Sequence, residues 1–362
     1  NAINLRPVGM TLNIGVKMKK GTFTALVTPF TTDFTLDRSG LEKLAAFQIE
    51  NSITGILAVG TTGESPTLSW DEHHMVVDTV TSLAQEKCLC IAGAGSNNTL
   101  EALSATEHAA HAGADAVLLV DPYYNGPSSI EIRKEYISPV AQQFPEMDII
   151  PYVIPGRTGA QLLPEDLAIL AKEYSNVRTV KEATGNLDNM KRTRSCCGLH
   201  YDIFSGDDGM TFEMMTDPSI NASGVISVLS NVAPKAICQF VSLLEQGKVD
   251  EAKTLKTALE PLFQLVTVKT MESTPFGDVV ARARNPLGVK TLMAILGMPG
   301  GPCRRPLGKM TRKGFDFVLK VARKVQNETP EIFQPIESFF KVDIAARLED
   351  QPAWQDLYYQ GY

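Results

Sequence analysis

From Phe23 onward the chain alternates short apolar runs with amphipathic segments, eight times over before residue 246. Runs apolar on both faces, each followed by a crossover helix, specify parallel strands covered on both sides. Strands are expected at 23–27, 55–59, 89–92, 116–120, 148–153, 177–180, 202–204 and 222–227. The first helix follows cap residues Asp37 and Ser39 and sets Leu41, Leu44, Ala45 and Ile49 on one face. Further helices are expected near 73–83, 100–112, 130–143, 165–173, 187–194, 209–215 and 234–245. An open doubly wound sheet uses the same alternation, but eight units in roughly 250 residues are the usual content of a closed (β/α)8 TIM barrel. The α/β barrel is therefore the expected fold.

Past residue 247 helical periodicity replaces the strand signal, at 250–266, 288–296 and 312–324, so residues 21–246 read as the barrel and 247–325 as a C-terminal helical appendage. The last stretch, 326–362, carries Pro330, Pro335, Phe339, Phe340, Trp354, Tyr358 and Tyr359. It is too aromatic for a disordered tail and is expected to dock. Residues 1–20 carry Arg6, Lys17, Lys19 and Lys20 with no acidic residue and no compact apolar stretch before a small-residue cleavage site. They read as an N-terminal extension or a remnant of preparation, not a secretory signal.

Charge and composition remove several function classes. A net charge of -7 without a dominant Lys/Arg cluster argues against a nucleic-acid surface. No stretch reaches the roughly 20 apolar residues of a membrane span. Six cysteines are sparse for 362 residues, and Cys88, Cys90, Cys196, Cys197, Cys238 and Cys303 are not spaced as a disulfide framework. A reducing cytoplasm is the expected setting, and neither these spacings nor the five histidines suggest a metal site.

In a parallel barrel, functional groups gather at the carboxyl ends of the strands. The second run ends in Gly60-Thr61-Thr62-Gly63-Glu64-Ser65, a turn whose N–H groups and hydroxyls suit a small carboxylate, or which needs glycine only for its geometry. The sixth run leads into Lys181, where alternation aims the side chain at the barrel axis. Desolvation there frees the amine as a nucleophile toward a carbonyl; the alternative is a lysine ion-paired with Glu182 or Asp207. Tyr152 ends the fifth run ahead of Pro155-Gly156-Arg157-Thr158-Gly159, and Pro122-Tyr123-Tyr124-Asn125 follows the fourth. These supply phenols for proton transfer and a guanidinium that grips a carboxylate at two points.

The motifs at 60–65, 122–125 and 155–159, with Lys-Glu-Ala-Thr-Gly-Asn at 181–186, Ser-Gly-Asp-Asp at 205–208 and Gly-Val-Ile-Ser-Val at 224–228, resemble one family from about residue 21 to 324. It is the pyruvate-dependent class I aldolase and lyase family that includes N-acetylneuraminate lyase, and within it the dihydrodipicolinate synthase branch. The resemblance implies that Lys181 forms a Schiff base with pyruvate and that no separate cofactor is needed. It makes Thr61, Tyr152 and Tyr124 a proton relay, Tyr124 reaching into a neighbouring subunit. Thr61 and Thr62 would hold the pyruvate carboxylate, Arg157 that of L-aspartate 4-semialdehyde, and the backbone at Gly206 and Ile226 would line the lysine pocket. A homotetramer, a dimer of tight dimers, working in lysine and diaminopimelate biosynthesis is implied as well. The sequence departs from the family at Val153, where Asn is usual.

The same resemblance points to an allosteric site for L-lysine at Ser65, Trp70, His73, Asn97, Glu101 and Tyr123. The stretch Ser69-Trp70-Asp71-Glu72-His73 is similar to plant-type members. Alternatively, Asn97 and Glu101 merely cap and charge a helix start. Two other readings stand beside the synthase: a sugar-acid aldolase or N-acetylneuraminate lyase, and an inactive barrel kept as a binding or regulatory protein.

Overall fold

A computed structural model describes residues 18–362 of the chain, so most of the expected N-terminal extension lies outside the described residues. Eight parallel strands close into a barrel: β1 (Gly21–Ala25), β2 (Gly55–Ala58), β3 (Leu89–Gly93), β4 (Ala116–Val120), β5 (Asp148–Val153), β6 (Thr179–Glu182), β7 (Asp202–Ser205) and β8 (Gly224–Ser227). The ring is sealed by β1 pairing with β8, Gly21 opposite Gly224. Glycine is required at that seam. Gly224 has φ +142°, and a Cβ there would lie 1.9 Å from the Gly21 carbonyl oxygen.

The double-faced apolar pattern is explained by two cores. Phe23, Leu57, Ile91, Leu118, Ile150, Phe204 and Ile226 point inward and fill the barrel, with Phe23 and Phe204 edge to face at 5.4 Å. Their neighbours Ile56, Cys90, Val117, Ile149, Ile203 and Val225 point outward against the helices. Those helices are α1 (Arg38–Glu50), α2 (Trp70–Ala84), α3 (Thr99–Ala112), α4 (residues 129–143, with a π-helical stretch at Ile132–Ile137), α5 (Pro164–Glu173), α6 (Leu187–Cys197), α7 (Thr211–Thr216) and α8 (Pro234–Glu245). Local chemistry fixes their starts: the Asp37 side chain accepts from the Gly40 N–H, and Ser69 and Glu72 form a reciprocal capping box.

Two expectations need correction. The sixth strand runs two residues later than expected, so Lys181 lies inside it. The C-terminal region is also not all-helical. After α9 (Val249–Phe263) comes an antiparallel hairpin, β9 (Thr267–Thr274) and β10 (Gly277–Arg284), before α10 (Leu287–Ile295) and α11 (Arg312–Glu328). The hairpin follows from alternation in Thr267-Val268-Lys269-Thr270-Met271-Glu272: Val268 and Glu272 are buried while Thr267, Lys269 and Met271 face solvent.

The aromatic tail folds back on its own chain through α12 (Gln334–Phe340) and α13 (Ile344–Arg347). Phe339 and Phe340 lie 5.4 and 5.1 Å from the Phe47 ring of α1, and Trp354 and Tyr358 cover Phe315 of α11. Among the described residues no helix is long and apolar enough to cross a membrane.

Candidate active site

Lys181 sits near the carboxyl end of the barrel, 4% exposed, beside its register partner Tyr152 on β5. Its Nζ lies 4.3 Å from the Tyr152 ring centroid, and no carboxylate is within ion-pair distance of it among the described residues. Burial is the main cause that brings its pKa down to about 7; the Arg157 charge adds to this and Asp208 opposes it. The ion-pair alternative is not what the fold builds. The outward-pointing Glu182 carboxylate accepts from Asn189 of α6, and Asp207 accepts from the Gly209 N–H.

Tyr152, Thr61 and Arg157 line one cavity of about 200 Å³ at this end, together with Ser65 and Tyr123. Burial raises the Tyr152 phenol to about 12, while Arg157 and the Thr61 hydroxyl ease that rise, so the phenol stays protonated at neutral pH. The Thr62 hydroxyl accepts from Asn285 Nδ2 at 2.9 Å, and Arg157 donates to the Asn285 carbonyl at 3.1 Å. Gly206 leaves room for the lysine: a Cβ there would meet Lys181 Cε at 3.2 Å and the Ala183 Cβ at 2.8 Å. Ile226 packs in the barrel core beneath the site. Tyr124 is not brought to this cavity within the chain, being 87% exposed.

Several supporting residues escaped the sequence reading. Glu64 and Lys290 form an ion pair at 2.7 Å, both side chains almost fully buried. Lys290 also donates to the carbonyls of Thr28 and Pro302, and the second Glu64 oxygen accepts from the Arg304 N–H. Arg304 in turn holds Glu72 with two hydrogen bonds, which keeps the Glu72 carboxyl near 2. This network pins the Thr61-Thr62 turn, where Glu64 takes φ +57°. Its only sequence signal was a glutamate inside a Gly-rich turn. Asp208 likewise accepts from the Ser227 hydroxyl and from the amides of Val228 and Leu229.

A second hollow adjoins the first. Ser65, Trp70, His73, Glu101 and Tyr123 line it, and Asn97 accepts from the Tyr123 N–H at 2.7 Å. All six residues of the expected regulatory site are thus close together. Asn98, not Asn97, caps α3, and Glu101 takes a hydrogen bond from the Ser96 hydroxyl, a residue the sequence reading missed. Burial holds the His73 imidazole down at about 4, its Nε2 on the Gly93 carbonyl at 2.9 Å.

The model of the dihydrodipicolinate synthetase family matches residues 18–324. A 4-hydroxy-tetrahydrodipicolinate synthase of Methanococcus vannielii is 40% identical over 293 residues, 81% of this chain and 94% of that protein. The synthase of Cyanidioschyzon merolae, solved with lysine bound, superposes with a TM-score of 0.77 at 34% identity, covering 85% of this chain and 98% of the other. The chloride-inhibited enzyme of Acinetobacter baumannii, solved with pyruvate, gives 0.76 at 32% identity, covering 84% and 98%.

The buried amine makes a stability prediction. The folded pKa of about 7 lies below the ordinary value of 10.5, so as pH falls from 10.5 to 7 the unfolded chain takes a proton that the folded chain refuses, and stability drops. Lys181→Met removes that cost. In urea unfolding the variant should exceed the parent by on the order of 4 kcal/mol at neutral pH, with the gain shrinking toward pH ~10. A variant no more stable than the parent at neutral pH would show that the amine is not desolvated.

Proposed function

Because the chain belongs to the dihydrodipicolinate synthetase family, we propose that it is a 4-hydroxy-tetrahydrodipicolinate synthase, condensing pyruvate with L-aspartate 4-semialdehyde in lysine and diaminopimelate biosynthesis. The observation that carries this reading is the Lys181 amine, brought to about 7 by burial at the mouth of the barrel. Burial favours its neutral form, so it attacks the keto carbon of pyruvate and loses water to give an imine. The imine withdraws electrons, the methyl group gives up a proton, and the resulting enamine carbon attacks the aldehyde. The amine of the second substrate then adds to the imine carbon and displaces Lys181, closing the ring.

Every step moves a proton, and Tyr152 is suited to donate and recover one because its phenol stays protonated. Thr61, next to it in the cavity, links Tyr152 to the pyruvate carboxylate, which Thr62 helps hold. Arg157 takes the carboxylate of the aldehyde substrate in a two-point contact. The imine on Lys181 does the work a separate cofactor would otherwise do.

Borohydride reduction in the presence of pyruvate tests the reading. One reduced pyruvate should add to Lys181 in intact-protein mass spectra, and turnover should need aspartate semialdehyde. Absence of the adduct would leave only a binding protein. Turnover with N-acetylmannosamine or glyceraldehyde alone would make the chain a sugar-acid aldolase.

Tyr124 completes the relay from a neighbouring subunit of a cytoplasmic homotetramer, which accounts for its 87% exposure here. Mixing inactive Tyr124→Phe with inactive Lys181→Met tests this. Each hybrid dimer then contains one whole site, and random exchange should restore about a quarter of parent activity. No recovery, once exchange is shown by mass, rules out a shared site.

The second hollow takes L-lysine as a feedback inhibitor. Glu101 meets its ammonium, Asn97 and Tyr123 orient it, and Trp70, edge-on to His73 at 5.1 Å, forms an apolar wall. Glu101→Gln should raise the lysine concentration for half-inhibition by about tenfold or more while uninhibited turnover holds. Unchanged inhibition would place the effector elsewhere.

A further inference from the structure

The outward face of the C-terminal hairpin carries an arrangement that sheet pairing disfavours. Lys269 on β9 stands directly opposite Arg282 on β10, and Arg284, two residues on, shares their face opposite Thr267. Like charges in direct cross-strand opposition are destabilising. Lys269 and Arg282 are exposed and Arg284 is half-buried, and none of the three lies within ion-pair distance of a carboxylate among the described residues. On the neighbouring helix α11, Lys313 donates to the Met271 carbonyl and stands 4.0 Å from the Glu272 carboxylate, so its charge is balanced and the unpaired cations are the three on the hairpin. Three clustered, unpaired cations stand out in a chain of net charge -7 and favour an anionic ligand locally.

Its location gives it a use. The three cations line a surface hollow at the hairpin base with Gln264, Thr267 and Phe317. Arg284 donates to the Gly156 carbonyl at 3.1 Å, and Arg157, the next residue, donates to the Asn285 carbonyl, the residue after Arg284. These two reciprocal bonds tie the cationic end of the hairpin to the segment that carries Arg157. The hairpin charges reach Arg157, whose pKa is lowered chiefly by burial, a fall that Tyr152 opposes and Arg284 and Arg282 add to.

We propose that Lys269, Arg282 and Arg284 form an outer anion site, which collects the carboxylate of the incoming aldehyde substrate at the mouth of the barrel and delivers it to Arg157. The proposal rests on the synthase reading, in which that substrate is a carboxylate. The outer site acts on capture, not on the bond-making steps, because its side chains lie on the hairpin surface and not in the cavity of Tyr152. Exposed cations around a funnel raise the encounter rate of an anion, and that gain falls as salt screens them.

The test uses Lys269→Gln/Arg282→Gln in the full chain. With aspartate semialdehyde as the varied substrate, kcat/KM should fall about five- to tenfold at low salt while kcat stays within about twofold. The dependence of kcat/KM on salt should flatten, and competition by inorganic phosphate should weaken in parallel. Because an opposed like-charge pair has been removed, the thermal midpoint should hold or rise; a marked fall would mean the charges serve the fold and would overturn the proposal. Charge-conserving Lys269→Arg/Arg282→Lys should keep parent kinetics. Parent-like kcat/KM and salt dependence in the glutamine variant would equally overturn it. Borohydride trapping of pyruvate on Lys181 separates this failure from failure of the synthase reading: it should be the same in parent and variant, and its loss from both would count against the function, not the outer site.

Discussion

A lysine 4% exposed with no carboxylate beside it costs folding free energy, and much of the barrel's carboxyl end is arranged so that it remains unpaired. Glu182 is adjacent in sequence but points to the other face and is held by Asn189. Asp208, the buried carboxylate whose charge reaches Lys181, has its oxygens taken by the Ser227 hydroxyl and two backbone amides. Had either paired with the amine, the pKa would rise and the neutral amine would be lost to protonation at neutral pH. Gly206 completes the arrangement by leaving volume where a methyl group would press on the lysine stem.

A neutral amine alone does not make a site, and the turn that brings Thr61 and Thr62 beside it is held from a distance of more than two hundred residues. The buried Glu64–Lys290 pair joins the turn after β2 to α10, and Asn285, just before α10, reaches Thr62. Buried ion pairs contribute little net stability, since desolvating both partners offsets their attraction, but removing one partner is severe. The pair therefore serves placement: it fixes a left-handed residue and two hydroxyls relative to the lysine. The C-terminal region is thus a structural part of the site, and the family match extends through it to residue 324.

The sequence showed the barrel well because apolar runs covered on both sides leave a strong signal, and most observed strands start or end within two residues of the runs read from it. Lys181, Tyr152, Thr61 and Arg157 were legible from their places at strand ends, and the structure brings them to one mouth. Contacts made between distant segments were not legible. Lys290 looked like an ordinary residue of an amphipathic helix, and nothing local marks it as the partner of Glu64. The hairpin was missed for another reason: its inward positions are filled by Thr270 and Glu272 as well as Val268, so the apolar alternation is weak although the period of two is intact. The tail aromatics were recognised as docking residues, but only the fold shows that they dock on Phe47 and Phe315.

Val153, where the family usually has Asn, can be placed by the same alternation of faces. Tyr152 points into the barrel toward Lys181; Val153, one residue on, belongs to the outer core and is 3% exposed. Its neighbour across the ladder is Glu182, another outward residue, whose carboxyl is raised to about 7 by burial despite hydrogen bonds from Thr184 and Asn189. An amide at 153 would add polarity to the helix-facing side of β5, whereas valine leaves that side apolar. What holds the strand in register does not depend on that side chain, because the Val153 carbonyl accepts from the Ala183 N–H at 3.0 Å. The substitution thus alters the surroundings of Glu182 and leaves the inner face, where Tyr152 and Lys181 meet, with the same groups. A barrel strand separates its two faces so completely that a change one residue from Tyr152 falls in a different core.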